Sequence, residues 1–287
     1  MSAAPGFKVA AVQMVSTHVV AENLAVAAEL VARAAAQGAG LVALPEYFCI
    51  MGMNERDKVA VKEADGDGPI QAFLAETAAR HGVWLVGGSV PLATGRPDKV
   101  RNSCLVYGPD GRRTARYDKM HLFGLELGAE RFDEANTIEP GERPLAIDSP
   151  YGRIALSICY DVRFPELYRS LGDVDLILVP SAFTATTGEA HWETLLRARA
   201  IENLAWVVAP AQGGTHPSGR RTHGHSMVID PWGAVRGCLP QGAGVVVAAV
   251  DPGLQARLRA SLPALEHRRI GAEAEPLEGA RPRRNVP

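Results

Sequence analysis

The sequence has no run approaching the roughly 18 consecutive apolar residues that a membrane-spanning helix requires, so no membrane partner is expected. An excess of one charge is also missing. Thirty Lys+Arg stand against 32 Asp+Glu, a formal net charge of −2, which gives no electrostatic basis for holding nucleic acid. Cysteine is scarce. Cys49, Cys104, Cys159 and Cys238 lie far apart with no C-x-x-C pair, which argues against a disulfide framework and against a close-spaced zinc site. The opening Met1-Ser-Ala-Ala-Pro-Gly-Phe-Lys has no basic stretch followed by an apolar one, so the expected location is cytoplasmic. There is no repeat and no Pro/Gly/Ser linker to divide the chain. With 47% hydrophobic residues and 22% charged, 287 residues suffice for a large core without staples, and disorder of the whole chain is excluded.

The patterning alternates. Residues 7–14 (FKVAAVQM), 41–44, 83–90, 154–158, 175–179 and 205–211 predict short buried strands. Helical spacing predicts helices over 23–37 with Gly38 as C-cap, 69–81 opened by Pro69 and closed by Gly82, 165–171, and 191–203. Gly108-Pro-Asp-Gly111 and Pro231-Trp-Gly233 each sit between strand-like runs as hairpin turns, and 244–250 is a further strand. Strands alternating with helices give an α/β fold with a mixed sheet. One domain over 1–272 is expected, followed by a Glu-, Pro- and Arg-rich tail over 273–287 without apolar periodicity, read as extended or disordered.

Three strand ends carry chemistry. In Ser157-Ile-Cys159-Tyr-Asp161-Val-Arg163-Phe-Pro165-Glu166 a thiol follows an apolar strand and precedes a helix, where α/β proteins build sites and where backbone N–H groups can face an oxyanion. A lone cysteine there is more often a small buried hydrophobe. Leu44-Pro45-Glu46-Tyr47-Phe48 puts a carboxylate in an apolar setting that would raise it toward a general base, the alternative being a solvated turn glutamate. Tyr117-Asp-Lys119-Met-His-Leu-Phe123 puts an ammonium among apolar residues, and alone reads as a surface lysine.

Together the three segments resemble the three signatures of the nitrilase superfamily of carbon–nitrogen hydrolases, in the family's order and approximate spacing, and the likeness runs from the first strand to Glu266-His-Arg-Arg269. The resemblance implies a four-layer αββα sandwich, a Glu46–Lys119–Cys159 triad, no metal, no cofactor, and a homodimer or larger homo-oligomer. Cys159 would attack the amide carbonyl, and Glu46 would move the protons. Lys119 and the backbone N–H of Tyr160 would hold the oxyanion. Glu134, in Arg131-Phe-Asp-Glu134, matches a second glutamate of the family that positions the lysine. The stretch 124–130 departs from the usual pattern, with Gly124 where many relatives carry aspartate after H-L-F.

The segments 180–183, 187–202 and 224–233 resemble the superfamily's amidases for deaminated glutathione. The expected partner is therefore a small-molecule amide bearing a carboxylate. The alternatives are an ω-amidase for 2-oxoglutaramate-type amides, a nitrilase, an N-carbamoyl amino acid hydrolase, and a catalytically silent scaffold. Other residues carry blander expectations. Asp161 and Arg163 pair or hydrogen-bond at the strand–helix corner. His216 lies in a mobile loop, and His216, His223 and His225 do not form a metal site. Arg197 and Arg199 make intrahelical or solvated ion pairs with Glu193 and Glu202.

Overall fold

The computed structural model describes residues 6–128 and 130–269, so the expected tail over 273–287 lies outside the described residues. Strand Phe7–Gln13 is the pivot. It pairs antiparallel with Gly244–Val250 on one side and parallel with Leu41–Ala43 on the other, and Trp84–Val86 continues the parallel run. Antiparallel Val100–Tyr107, Val90–Ala93 and Arg113–Asp118 complete a seven-stranded sheet. A second sheet of six strands has Gly152–Leu156, Leu176–Leu178 and Trp206–Ala209 parallel at its centre, with antiparallel strands outside.

Period-two alternation explains the layering. Along the pivot strand Val9 and Ala11 enter one core while Ala10 and Val12 enter another. The first core lies between the sheets and takes in Ile154, Leu156, Leu178 and Val208 from the second sheet. The other core is closed by helices Val20–Ala36 (Ala27, Leu30, Val31, Ala34) and Pro69–His81 (Ile70, Leu74, Ala78). Helix Ala185–Asn203 covers the far side of the second sheet with Trp192, Leu196 and Ala200. The order helix, sheet, sheet, helix is the αββα sandwich expected from the resemblance.

Local differences from the predicted elements have identifiable causes. The single strand expected over 83–90 is two, Trp84–Val86 and Val90–Ala93, broken at Gly87-Gly88-Ser89. Gly88 has φ +50°, and a Cβ there would come within 2.0 Å of the Pro45 carbonyl oxygen. The break lets the Pro45–Glu46–Tyr47 corner close onto the sheet, with the Tyr47 N–H donating to Ser89 Oγ at 2.9 Å. The helix expected from residue 191 begins at Ala185, because Thr184 caps it by accepting from the Thr187 N–H. Strand Leu145–Ser149 and helix Pro252–Ser261 had no predicted counterpart.

Candidate active site

Glu46 follows strand Leu41–Ala43 and is 1% exposed. Its Oε1 accepts from Lys119 Nζ at 2.8 Å and Asn102 Nδ2 at 2.9 Å, and its Oε2 accepts from the Ala182 N–H at 3.0 Å. Lys119 leaves the end of strand Arg113–Asp118 with no exposed surface. Its other contacts go to Glu134, 3.0 Å to Oε1 and 2.7 Å to Oε2. Glu134 also accepts from Tyr47 Oη at 2.9 Å and from the Phe123 N–H at 2.7 Å. The unusual stretch after Phe123 is a hairpin, Gly124–Leu127 with Glu130–Asp133. Its base is tied by the Glu134 N–H donating to the Phe123 carbonyl at 3.0 Å. The chain thus makes an excursion and returns Glu134 to Lys119, whatever the hairpin itself contains.

Cys159 opens a short 3-10 turn, Cys159–Arg163, just past strand Gly152–Leu156. Its φ is +50°, a conformation that costs a non-glycine residue about 1–2 kcal/mol and that functional sites retain. Its N–H donates to the Pro180 carbonyl at 2.9 Å. Cys159, Glu46, Glu134 and Tyr160 line one narrow cavity, walled by Phe123 and Phe183 and bordered by Arg163 and Arg220. The structure therefore brings together all five residues singled out in the sequence.

The charges are unevenly poised. Burial raises Glu46, with Glu134 adding to it and Lys119 opposing. Burial would raise Glu134 too, but Lys119 and the Phe123 N–H hold it below the ordinary carboxylate range. Burial would lower Lys119, yet the two carboxylates keep it firmly protonated. The Cys159 thiol is pushed well up, first by burial and then by Glu46. The site at rest holds a thiol beside a carboxylate, rather than a preformed thiolate.

Several supporting residues were invisible or misread in sequence. Asp161 does not pair with Arg163. It is fully buried and accepts from Tyr117 Oη at 2.7 Å and from the N–H groups of His121 at 3.0 Å and Ile158 at 2.9 Å, tying the lysine segment to the cysteine turn. Arg163 instead lies over the rings of Tyr160 and Phe183. Arg197 does pair with Glu193 at 3.4 Å. Arg199 pairs with Glu202 but is buried, and its Nε donates to the Val162 carbonyl at 2.8 Å, bracing the cysteine turn. His216 is not in a loose loop. It is 2% exposed, with Nδ1 at 2.8 Å from the Ser16 carbonyl and Nε2 at 2.8 Å from Thr222 Oγ1. The rings of His223 and His225 stack 4.1 Å apart. Asn102 and the Ala182 N–H carried no local signal, since only the fold delivers them to Glu46.

The carbon–nitrogen hydrolase family model matches residues 8–260. The chain belongs to this family. A deaminated glutathione amidase of Synechocystis sp. (strain PCC 6803 / GT-S) is 42% identical over 90% of this chain and 97% of its own. The omega-amidase NIT2 of Danio rerio is 38% identical over 92% and 95%. The crystal structure of Saccharomyces cerevisiae Nit3, of branch 10 of the nitrilase superfamily, superposes with a TM-score of 0.84 at 30% identity, covering 94% of this chain and all of that one. The protein is thus a carbon–nitrogen hydrolase of the amidase kind. Among its described residues no helix is long and apolar enough to cross a membrane.

Proposed function

We propose that this amidase cleaves the amide of a small carboxylate-bearing substrate, with deaminated glutathione as the leading one, through a thioester on Cys159. The observation that carries the reading is the Glu46–Lys119–Glu134 cluster in the same cavity as a cysteine held at φ +50°. Because the thiol and Glu46 both hold protons more tightly than usual, deprotonation accompanies attack: Sγ bonds to the carbonyl carbon as Glu46 takes its proton. Glu46 then gives that proton to the leaving nitrogen, the C–N bond breaks, and the amine departs. Water, deprotonated by Glu46, cleaves the thioester and restores the thiol. Lys119 and the Tyr160 N–H stabilise the oxyanion in both halves. An ammonium has three N–H donors and all three contacts are taken, so Lys119 acts through its fixed charge or by releasing one Glu134 oxygen. Glu134 positions it.

One assay tests the substrate. Product release is compared for deaminated glutathione, 2-oxoglutaramate, a nitrile and an N-carbamoyl amino acid. The expected kcat/KM is highest for deaminated glutathione. A higher value for 2-oxoglutaramate moves the protein to the omega-amidase reading, and turnover of only the nitrile or the carbamoyl compound overturns the proposal. A homodimer belongs to the same reading. Trp232 is 61% exposed and Ile201 47%, and Ile201 packs against Gly233 beside that tryptophan, an apolar patch that a second copy would cover. A monomeric mass in light scattering would refute it.

A further inference from the structure

Lys119 has three N–H donors and three acceptor contacts at rest, so a direct hydrogen bond to an oxyanion requires that one contact be given up. The three are unequal. Those to Glu46 Oε1 and Glu134 Oε2 measure 2.8 and 2.7 Å, while that to Glu134 Oε1 measures 3.0 Å. Giving up Glu134 Oε1 leaves the ammonium bound to both carboxylates, through Glu46 Oε1 and Glu134 Oε2. The difficulty is the oxygen left behind, because a buried carboxylate oxygen without a donor is unfavourable. A second donor is already in place: Tyr47 Oη lies 2.9 Å from that same oxygen.

Tyr47 is fixed where it can serve. It follows Glu46 directly, is 6% exposed and holds φ +57°, a left-handed conformation that is unfavourable for a non-glycine residue and is retained at functional sites. Its N–H donates to Ser89 Oγ at 2.9 Å, and the Lys58 ammonium lies over its ring at 5.3 Å. Lys58 is itself buried and reaches the turn that carries Glu134, through Thr137 Oγ1 at 3.4 Å. Burial, with the charges of Glu134, Glu46 and Glu55, outweighs Arg220 and holds the phenol proton well above its ordinary range, so Tyr47 is a donor at neutral pH. Its ring borders a separate groove with Met51 and Phe132, not the cavity that holds Cys159. The hydroxyl therefore serves Glu134 and does not touch the reacting atoms.

We infer that Tyr47 is a positioning residue for the oxyanion step: as Lys119 turns one N–H from Glu134 Oε1 to the developing oxyanion, the Tyr47 hydroxyl keeps Oε1 hydrogen-bonded and Glu134 in place. No proton is transferred; the ammonium exchanges one acceptor for another. This rests on the thioester reading and adds to it which lysine contact is released and what allows the release.

The test is a double-mutant cycle of Tyr47→Phe and Lys119→Met, run on whichever compound of the substrate assay wild type turns over best. At rest Glu134 Oε1 keeps Lys119 when the hydroxyl is removed, so Tyr47→Phe is expected to fold with Tm within about 3 °C of wild type. Its kcat is expected to fall roughly tenfold, the scale of one hydrogen bond to a charged group. KM should stay within about twofold, because the bond matters only once the oxyanion forms. In Lys119→Met the same substitution should change kcat by less than about twofold, since no ammonium is left to release Oε1. An unchanged kcat in Tyr47→Phe overturns the inference. So does a loss confined to KM, which a groove contact would give, or an equal loss of kcat with and without the ammonium. The two readings fail separately. Full turnover in Lys119→Met removes the lysine from the oxyanion and overturns this inference with it. A crippled Lys119→Met beside an unimpaired Tyr47→Phe leaves the thioester reading standing and overturns only the part given to Tyr47.

Discussion

Replacing Lys119 by methionine removes the ammonium that two buried carboxylates share. Breaking a buried charge cluster by deleting one partner costs about 3–5 kcal/mol, because the remaining charges stay desolvated. Unfolding entropy of about 2.1 cal/mol/K per residue gives about 0.6 kcal/mol/K for a chain of 287 residues, so Tm at pH 7 is expected to fall by about 5–8 °C. The pH dependence is sharper than the size. In wild type Glu134 is lowered, so its stabilisation is complete above the unfolded value near 4.5 and is lost as pH falls through the folded one. Lys119 is raised above 10.5, so its stabilisation is present throughout the neutral range. Without the ammonium, burial and mutual repulsion raise both carboxyls, and the sign for Glu134 reverses. The variant is then most stable in acid and loses stability as pH rises past about 4.5, toward the raised folded values. Thermal melts of both proteins between pH 4.5 and 8 read the gap, which should widen as pH rises. Amide turnover, measured well below either Tm, should fall by at least about 10²–10³, the worth of an oxyanion donor. A constant Tm gap across that range, or no gap, would refute the shared-ammonium argument.

Cys159→Ala should lose all measurable turnover with Tm within about 3 °C of wild type, since one nearly buried sulfur atom is removed from an unchanged backbone. A variant that still releases amine at a substantial rate would remove the thiol from the mechanism. Glu46→Gln cannot carry protons between thiol, amine and water, so turnover should stall in whichever half is more demanding; wild type quenched during turnover of a good substrate should carry acyl mass on the Cys159 peptide, and hydroxylamine should divert its product to a hydroxamate. Mass on Cys49, Cys104 or Cys238 would mean a covalent route through another residue, and no adduct with no hydroxamate would mean direct attack by water. Gly88→Ala should cost about 1–3 kcal/mol and reduce kcat as well, because the new methyl meets the Pro45 carbonyl beside Glu46. Gly95→Ala, where nothing lies within 4 Å of the added Cβ, should do neither.

What the sequence disclosed of the site was the part held by short contiguous motifs. Glu46, Lys119 and Cys159 each follow a strand, and each motif carries its own local geometry. Asp161 shows the limit. Its neighbour in sequence, Arg163, was the obvious partner, but the carboxylate turns inward to a tyrosine and a histidine backbone some forty residues earlier. Nothing in a one-dimensional pattern ranks a partner two residues away below one brought in by sheet packing. The strand expected over 83–90 failed for a related reason: Gly87-Gly88 was a visible signal, but its purpose, a close approach to the Pro45 carbonyl, exists only once the two segments lie side by side. Helix Pro252–Ser261 was missed because its sequence, PGLQARLRAS, is short and has only two large apolar residues, Leu254 and Leu258, so it shows little apolar periodicity.

The two glutamates look interchangeable in a list of contacts, and their surroundings decide which one can move a proton. Glu134 accepts from both edges of the ammonium, a tyrosine hydroxyl and a backbone N–H, four donors in all. Glu46 has a single contact from the ammonium, the rest coming from Asn102, the Ala182 N–H and the Cys159 thiol. Burial raises both, but the doubled Lys119 contact, the Phe123 N–H and the nearby Lys58 charge take Glu134 below its ordinary value, while Glu46, with one ammonium contact and the Glu134 charge beside it, stays above. Two carboxyls pushed apart in this way take different roles. Glu134 remains an anion and keeps Lys119 charged and in place. Glu46, raised instead, is the one suited to take a proton from its neighbour, a thiol whose own proton is held tightly first by burial and then by Glu46. The pair therefore gains nothing from separating charge at rest. It gains only when a carbonyl arrives to accept the sulfur's electrons under the influence of Lys119, so the nucleophile is generated only when substrate fills the cavity.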